Sequence, residues 1–221
     1  MQLYKSVINF TPILQFKVKM LKCPVFIIVL ISLCLLASGQ DKWSLIKDQD
    51  GIKVYTMRVQ NEKFKQVRAD FELKATEDQL ISVLQNIPHQ RDWSYGTKRT
   101  YLINKRSKDT LIYYSEVELP WPLSNRDLVI ELSFKKDTLN KTLSIQAKSI
   151  PGVLPDNPKL VRVPYSLALW DVKVQPNKML RVSYTFKTDP GGALPAWLVN
   201  FAASTGPYNS FHKLKEMMSE N

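Results

Sequence analysis

Leu119-Pro-Trp-Pro-Leu-Ser-Asn-Arg-Asp-Leu-Val-Ile-Glu-Leu-Ser-Phe134 decides how the rest of this chain is read. A Pro-Trp-Pro corner delivers an Arg-Asp pair to the start of a strand. From Arg126 the alternation is clean: Arg126, Leu128, Ile130, Leu132 and Phe134 share one face, and Asp127, Val129, Glu131, Ser133 and Lys135 share the other. An arginine therefore stands at the mouth of an otherwise apolar sheet face. That pattern suits a greasy pocket with one charged anchor. It also suits an edge arginine that snorkels to water. By parity, Asp127 reads as a turn or strand-start residue rather than a pocket group.

Strand patterning continues on either side of this segment. Ile52 to Val59 and Phe64 to Leu73 read as strands, preceded by a short leading helix over Trp43 to Asp48. Thr76-Glu-Asp-Gln79 is a capping box, and Leu80, Ile81, Val83 and Leu84 follow as a helical stripe that Asn86-Ile87-Pro88 ends. Lys98 to Asn104, Leu111 to Leu119, Arg126 to Phe134, Thr142 to Ile150, Arg162 to Val174 and Leu180 to Thr188 then carry β-rich or period-2 patterning. Short polar turns join most of them, which makes an antiparallel sheet. The longer loop Pro151 to Pro158 is proline-rich and reads as a mobile flap.

The chain closes on a long helix with Pro195 in its first turn. Leu194, Trp197, Leu198, Phe201, Tyr208, Phe211, Leu214 and Met218 read as one apolar stripe, and Gly206-Pro207 inside it is expected to kink or loosen the helix. Two strands, a helix, about six strands and a long helix give an α+β class: a curved antiparallel β-sheet gripping a C-terminal helix.

The inward parity of several strands has small residues near its middle: Ala69, Ser115, Ala147, Ser149 and Ala168. A filled core places larger side chains there. The small ones leave volume for a guest, unless the aromatic residues of the last helix fill it. Tyr113, Tyr184 and Arg126 face the same way and offer the few polar contacts that orient an apolar ligand. Arg126 needs an acidic partner if it is buried, and Asp92 and Glu116 are the candidates.

These segments resemble the START domains, the lipid-binding domains related to steroidogenic acute regulatory protein. Trp121-Pro-Leu-Ser-Asn-Arg-Asp-Leu-Val129 is similar to their central signature. Arg91-Asp-Trp93 and Leu111-Ile-Tyr-Tyr114 precede it in the expected order, and Asp189-Pro-Gly-Gly-Ala-Leu-Pro-Ala-Trp-Leu-Val-Asn200 follows. The resemblance covers nearly all of the chain after residue 40. It implies the helix-grip fold and an internal hydrophobic cavity that binds a lipid or sterol-like molecule. Family members commonly carry an aspartate directly after the tryptophan of the upstream motif, where this chain has Ser94. That departure puts an inherited acid–arginine pair in doubt.

The expected ligand-binding set is Tyr113, Ser115, Arg126, Leu128, Ala147, Tyr184, Trp197 and Phe201, with Gly206 and Pro207 as gating residues. The hydrophobic small molecule or lipid is the expected partner, and a membrane surface a transient one. No cofactor and no metal is expected. His89 and His212 lack ligand partners at metal spacing, no Gly-x-Ser-x-Gly elbow occurs, and Asp189-Pro-Gly-Gly192 reads as a corner rather than a phosphate loop. Two rival readings stay open: a helix-grip enzyme of cyclase or hydrolase type, and a scaffold that binds a protein partner.

Residues 1–39 read as a secretory signal. Lys22 precedes an apolar run from Val25 to Leu36 and then Ala37-Ser38-Gly39, with cleavage expected after Gly39. A start at Met20 gives a more compact signal, and an uncleaved anchor is the lesser reading. The remaining 40–221 then form one domain, exported and expected to be a monomer. Both cysteines, Cys23 and Cys34, fall in the leader, so the domain has no disulfide. The formal charge of +11 falls to +7 without the leader's four lysines. The basic residues are scattered, which argues against nucleic acid and leaves a positive surface suited to anionic membranes.

Overall fold

A computed structural model describes residues 42–219; the expected leader, its cleavage site and Met20 lie outside the described residues. Ten strands form one curved sheet: β1 (Ser44–Gln49), β2 (Ile52–Met57), β3 (Gln66–Lys74), β4 (Thr97–Ser107), β5 (Thr110–Val117), β6 (Arg126–Asp137), β7 (Thr142–Ser149), β8 (Val161–Arg162), β9 (Tyr165–Gln175) and β10 (Met179–Asp189). The order is β1-β2-β3-β10-β9-β7-β6-β5-β4, antiparallel throughout, with β8 pairing parallel to the start of β6. The sheet does not close into a barrel, so β1 and β4 are its edges. The helices are α1 (Glu77–Gln85), the short α2 (Gln90–Trp93) and α3 (Ala196–Ser219).

The α+β helix-grip architecture expected from the pattern is the one observed, and two elements correct it. The leading helix is strand β1. Asp50 and Gly51 have φ of 52° and 70°, which makes the tight turn that folds β1 back onto β2. The strand expected over Arg162 to Val174 is broken at Val163-Pro164, where the chain leaves β8, paired with β6, and enters β9. Proline has no N–H to give a ladder, so the break falls where the sequence puts it. The capping box of α1 forms as read: Gln79 N donates to Thr76 Oγ1 at 3.3 Å and Thr76 N to Gln79 Oε1 at 2.8 Å.

The core lies between the sheet and the C-terminal half of α3. Phe211 stacks on Phe71 with ring centroids 4.4 Å apart and meets the edges of Trp170 and Tyr184 at 5.2 Å and 4.9 Å. Leu214 is fully buried beside Ile52, Val54, Leu73 and Leu180. A clasp on the β1–β2 turn fixes this half of the helix. Tyr208 donates its hydroxyl to Asp50, Lys215 Nζ donates to the Asp50 carbonyl at 2.8 Å, and His212 Nε2 lies 3.6 Å from Asp50 Oδ2.

A second apolar cluster sits on the other face of the sheet, where Ile112, Tyr114 and Val129 meet Ile150 and Leu154. It lies under the Pro151 to Pro158 loop. Arg162 holds that loop from beneath, donating to the carbonyls of Leu154 and Pro155 at 3.2 Å each. The segment read as a flap is thus tied down at its centre.

Candidate functional site

The cavity arises from register. Leu132, Ala147, Ala168 and Phe186 are consecutive partners across β6, β7, β9 and β10, so two alanines stand side by side in the middle of one row. Two inward rows along, Ser115 pairs with Leu128. The missing side-chain volume is not recovered by α3, and an internal cavity of about 370 Å³ remains. Ser115, Ala147 and Ala168 line it. Ala69 and Ser149 do not. Ala69 is packed in the core, and Ser149 Oγ accepts from the backbone N–H of Ser166 at 2.8 Å.

The face of β6 is arranged as the alternation requires. Arg126, Leu128, Ile130 and Leu132 line the cavity, and Phe134 continues into the core. Tyr113 and Tyr184 are also on the wall. Burial raises the pKa of both hydroxyls; Gln90 opposes the rise at Tyr113, and nearby Tyr113 adds to it at Tyr184. Both stay neutral phenols at any physiological pH. Gly206 and Pro207 border the cavity from α3.

Trp197 and Phe201 are placed otherwise. They point outward, 71% and 61% exposed. The cavity wall on α3 is made by Leu198, Val199, Ala202, Ala203 and Gly206, whereas Tyr208, Phe211, Leu214 and Met218 are the buried residues beyond Pro207. At 3.6 residues per turn these two inward faces differ by about a third of a turn. A single stripe drawn through the whole helix therefore puts Trp197 and Phe201 on the face that is buried only after Pro207. The helix itself continues through Gly206-Pro207 as one element.

Arg126 is 5% exposed, and neither expected partner reaches it. Asp92 is taken by His89 Nδ1 at 2.8 Å. Glu116 faces the other side of the sheet, with Lys98 at 3.1 Å, Arg99 at 3.5 Å and Asn125 Nδ2 at 3.0 Å. Burial pushes the Glu116 carboxyl up, and those three partners more than offset it, so its pKa is lowered. Arg126 instead donates Nη1 to the Ser124 carbonyl and Nη2 to the Gly191 carbonyl, the latter at 3.4 Å. Its Nε has no partner. Burial alone pushes its pKa down.

The corner around Arg126 explains its neighbours. Asn125 Oδ1 accepts from the Leu119 N–H at 3.2 Å, pinning the Pro-Trp-Pro loop across its base. Gly191 has φ of 68°, and a Cβ there would lie 3.0 Å from the Arg162 carbonyl. Only glycine lets that strand end approach. Asp127 is 1% exposed and forms a two-pronged pair with Arg162, at 2.8 Å and 3.0 Å. It is a structural residue on the face away from the cavity, as its parity indicated.

Trp93 is a wall residue that the pattern did not single out. Its ring meets the edge of Trp170 at 6.4 Å, and its Nε1 is buried without a partner. The signal was present in Arg91-Asp-Trp93, on a helical turn too short for periodicity to show which way the indole points.

A family model, START domain, matches residues 30–221. The chain belongs to the START domain family. An uncharacterized protein of Pseudomonas aeruginosa is 29% identical over 79% of this chain and 86% of its own length. The phosphatidylcholine transfer protein of Mus musculus is 28% identical over 82% of this chain and 84% of its own. Among solved structures, a STAR-related lipid transfer protein from Xanthomonas axonopodis (fragment 25–204) superposes with a TM-score of 0.74 at 29% identity, covering 81% of this chain and 99% of that one. The curved sheet and the long C-terminal helix are thus the arrangement of the START neighbours.

Proposed function

We propose that this START domain binds one hydrophobic ligand in the sheet–helix cavity and carries it between membranes, without chemistry of its own. The single observation that carries the reading is the mainly apolar cavity of about 370 Å³ between the sheet and α3, built from small residues in register. The lipid transfer proteins among its relatives support the same reading. Apolar burial at about 25 cal/mol per Å² is enough to hold such a guest with few polar contacts. The wall favours carriage over the cyclase or hydrolase reading: its tyrosines are held neutral by burial, so neither serves as a base near neutral pH.

Gating is assigned to the N-terminal half of α3. That half forms one wall of the cavity through Leu198, Ala202 and Ala203, while the C-terminal half is clasped to Asp50. Pro207 sits at the junction and gives no N–H to the turn before it. Trp121 and Trp197 stand exposed on the corner loop and on α3, and indole rings favour the membrane–water interface. The positive charge of the domain favours an anionic surface. Export through the leader and a monomeric carrier complete the proposal.

The test is transfer between vesicles. The full chain should accelerate movement of a fluorescent lipid from donor to acceptor vesicles in proportion to its concentration. A rate equal to that of buffer, with bound probe also absent, would contradict the proposal.

A further inference from the structure

The cavity wall is mainly apolar, with Arg126 as its buried cation, and that residue is unfinished. A guanidinium stays charged in a protein and offers five N–H donors in a planar fork. Here it is 5% exposed, its Nη atoms reach only the carbonyls of Ser124 and Gly191, and its Nε is unpaired. Carbonyls supply dipoles and no countercharge. Burying a charge without one costs several kcal/mol.

Every acid close by is committed elsewhere or points away. Asp127 is held by Arg162, Glu116 by Lys98, Arg99 and Asn125, and Asp189 Oδ1 accepts from the Gly191 N–H at 3.0 Å. Glu118 is exposed on the cavity rim. Among the described residues, no carboxylate lies within ion-pair distance of Arg126. Ser94 accepts from the Thr97 hydroxyl at 3.0 Å and brings no charge.

A second orphan group is independent of the first. Trp93 Nε1, also on the cavity wall, is buried with no acceptor. The third unpaired atom, Asn200 Oδ1, is not on the wall. Both unpaired groups that line the cavity are therefore donors, and a guest that completes them must bring acceptor oxygens.

Resting on the carrier reading above, we infer that the ligand of this cavity is an amphiphile whose headgroup bears an anionic oxygen, and that Arg126 is its countercharge. The headgroup is a carboxylate or a phosphate. A neutral sterol, alcohol or glyceride fills the apolar volume and leaves the guanidinium unpaired.

The experiment compares matched sixteen-carbon probes on delipidated full-length protein: hexadecanoate, hexadecyl phosphate, hexadecanol and hexadecyltrimethylammonium, each displacing a neutral fluorescent lipid. At least one of the two anions should bind about tenfold tighter than hexadecanol, or more, and the cation no better than the alcohol. Whichever anion leads identifies a fatty-acid or a phospholipid source. Arg126→Gln should bring the anion's advantage over hexadecanol down to about twofold, with an unchanged circular-dichroism spectrum showing that the variant is folded. Arg126→Lys should keep part of the advantage. Equal binding of anions and alcohol, or an anion advantage that survives Arg126→Gln, overturns the inference while leaving the carrier reading standing. Failure of every probe, hexadecanol included, overturns both.

Discussion

At the scale of single residues, the Arg126-Asp127 pair divides its labour by parity. Asp127 points away from the cavity and is the buried anchor for Arg162, which in turn holds the 151–158 loop through two carbonyls. Replacing Asp127 with asparagine leaves Arg162, only 17% exposed, with the solvent-exposed carboxylate of Asp156 at 3.3 Å in place of its buried two-pronged partner. We expect a loss of about 2 kcal/mol in urea unfolding. A change below about 0.5 kcal/mol, the size of an ordinary surface substitution, would show that the pair is not what secures the loop. This division was legible from alternation alone, because a two-residue period fixes which side chain goes to which face. The partners were not legible. Alternation already set Glu116 against the parity of Tyr113 and Ser115, but it did not show that Asp92 sits on a helical turn that directs it to His89, or that two carbonyls would meet the guanidinium. Pairing depends on how β5, β6 and α2 meet, and no local pattern carries that.

At the scale of elements, the long helix does two jobs on two faces. Its first half lines a cavity and its second half fills a core, and the inward face moves around the helix at Gly206-Pro207. Reading α3 as one amphipathic stripe was right about its existence and its buried C-terminal residues. It failed at Trp197 and Phe201, because sequence periodicity assumes one neighbour along the whole length. The leading strand was missed for a related reason. Ser44 to Gln49 is an edge strand with almost no buried position, so it has little alternation to read, and the Asp50-Gly51 turn was the better signal.

The junction in α3 also yields a kinetic prediction. A Cβ at Gly206 would lie 3.6 Å from the Tyr95 ring, an ordinary contact, so alanine fits there. Gly206→Ala with Pro207→Ala restores a helical N–H and removes two weak helix formers, each a gain of about 1 kcal/mol or more in helix propensity. Ligand exchange between vesicles should slow several-fold with equilibrium affinity little changed. An unchanged exchange rate would separate the gate from this junction.

At the scale of the whole molecule, the fold is a means of keeping volume empty. A curved sheet of ten strands and a clasped helix hold their walls apart, while alanines and serines in nearby rows leave the space between them unfilled. The order of elements and the small inward residues showed the class of fold and pointed to the cavity before any coordinates. Its boundaries depended on Trp93, Leu194 and Val163, which come from loops and short turns whose direction is set by tertiary contacts.

The central claim is that this space is occupied by one guest. Its most direct test is to purify the full chain from its expression host, confirm its mass under native conditions, then extract it with organic solvent and identify what is released by mass spectrometry. The account predicts one hydrophobic molecule per chain, lost on extraction and restored by adding it back. A protein whose native mass equals that of the bare polypeptide, and which takes up no lipid when lipid is offered, would contradict it.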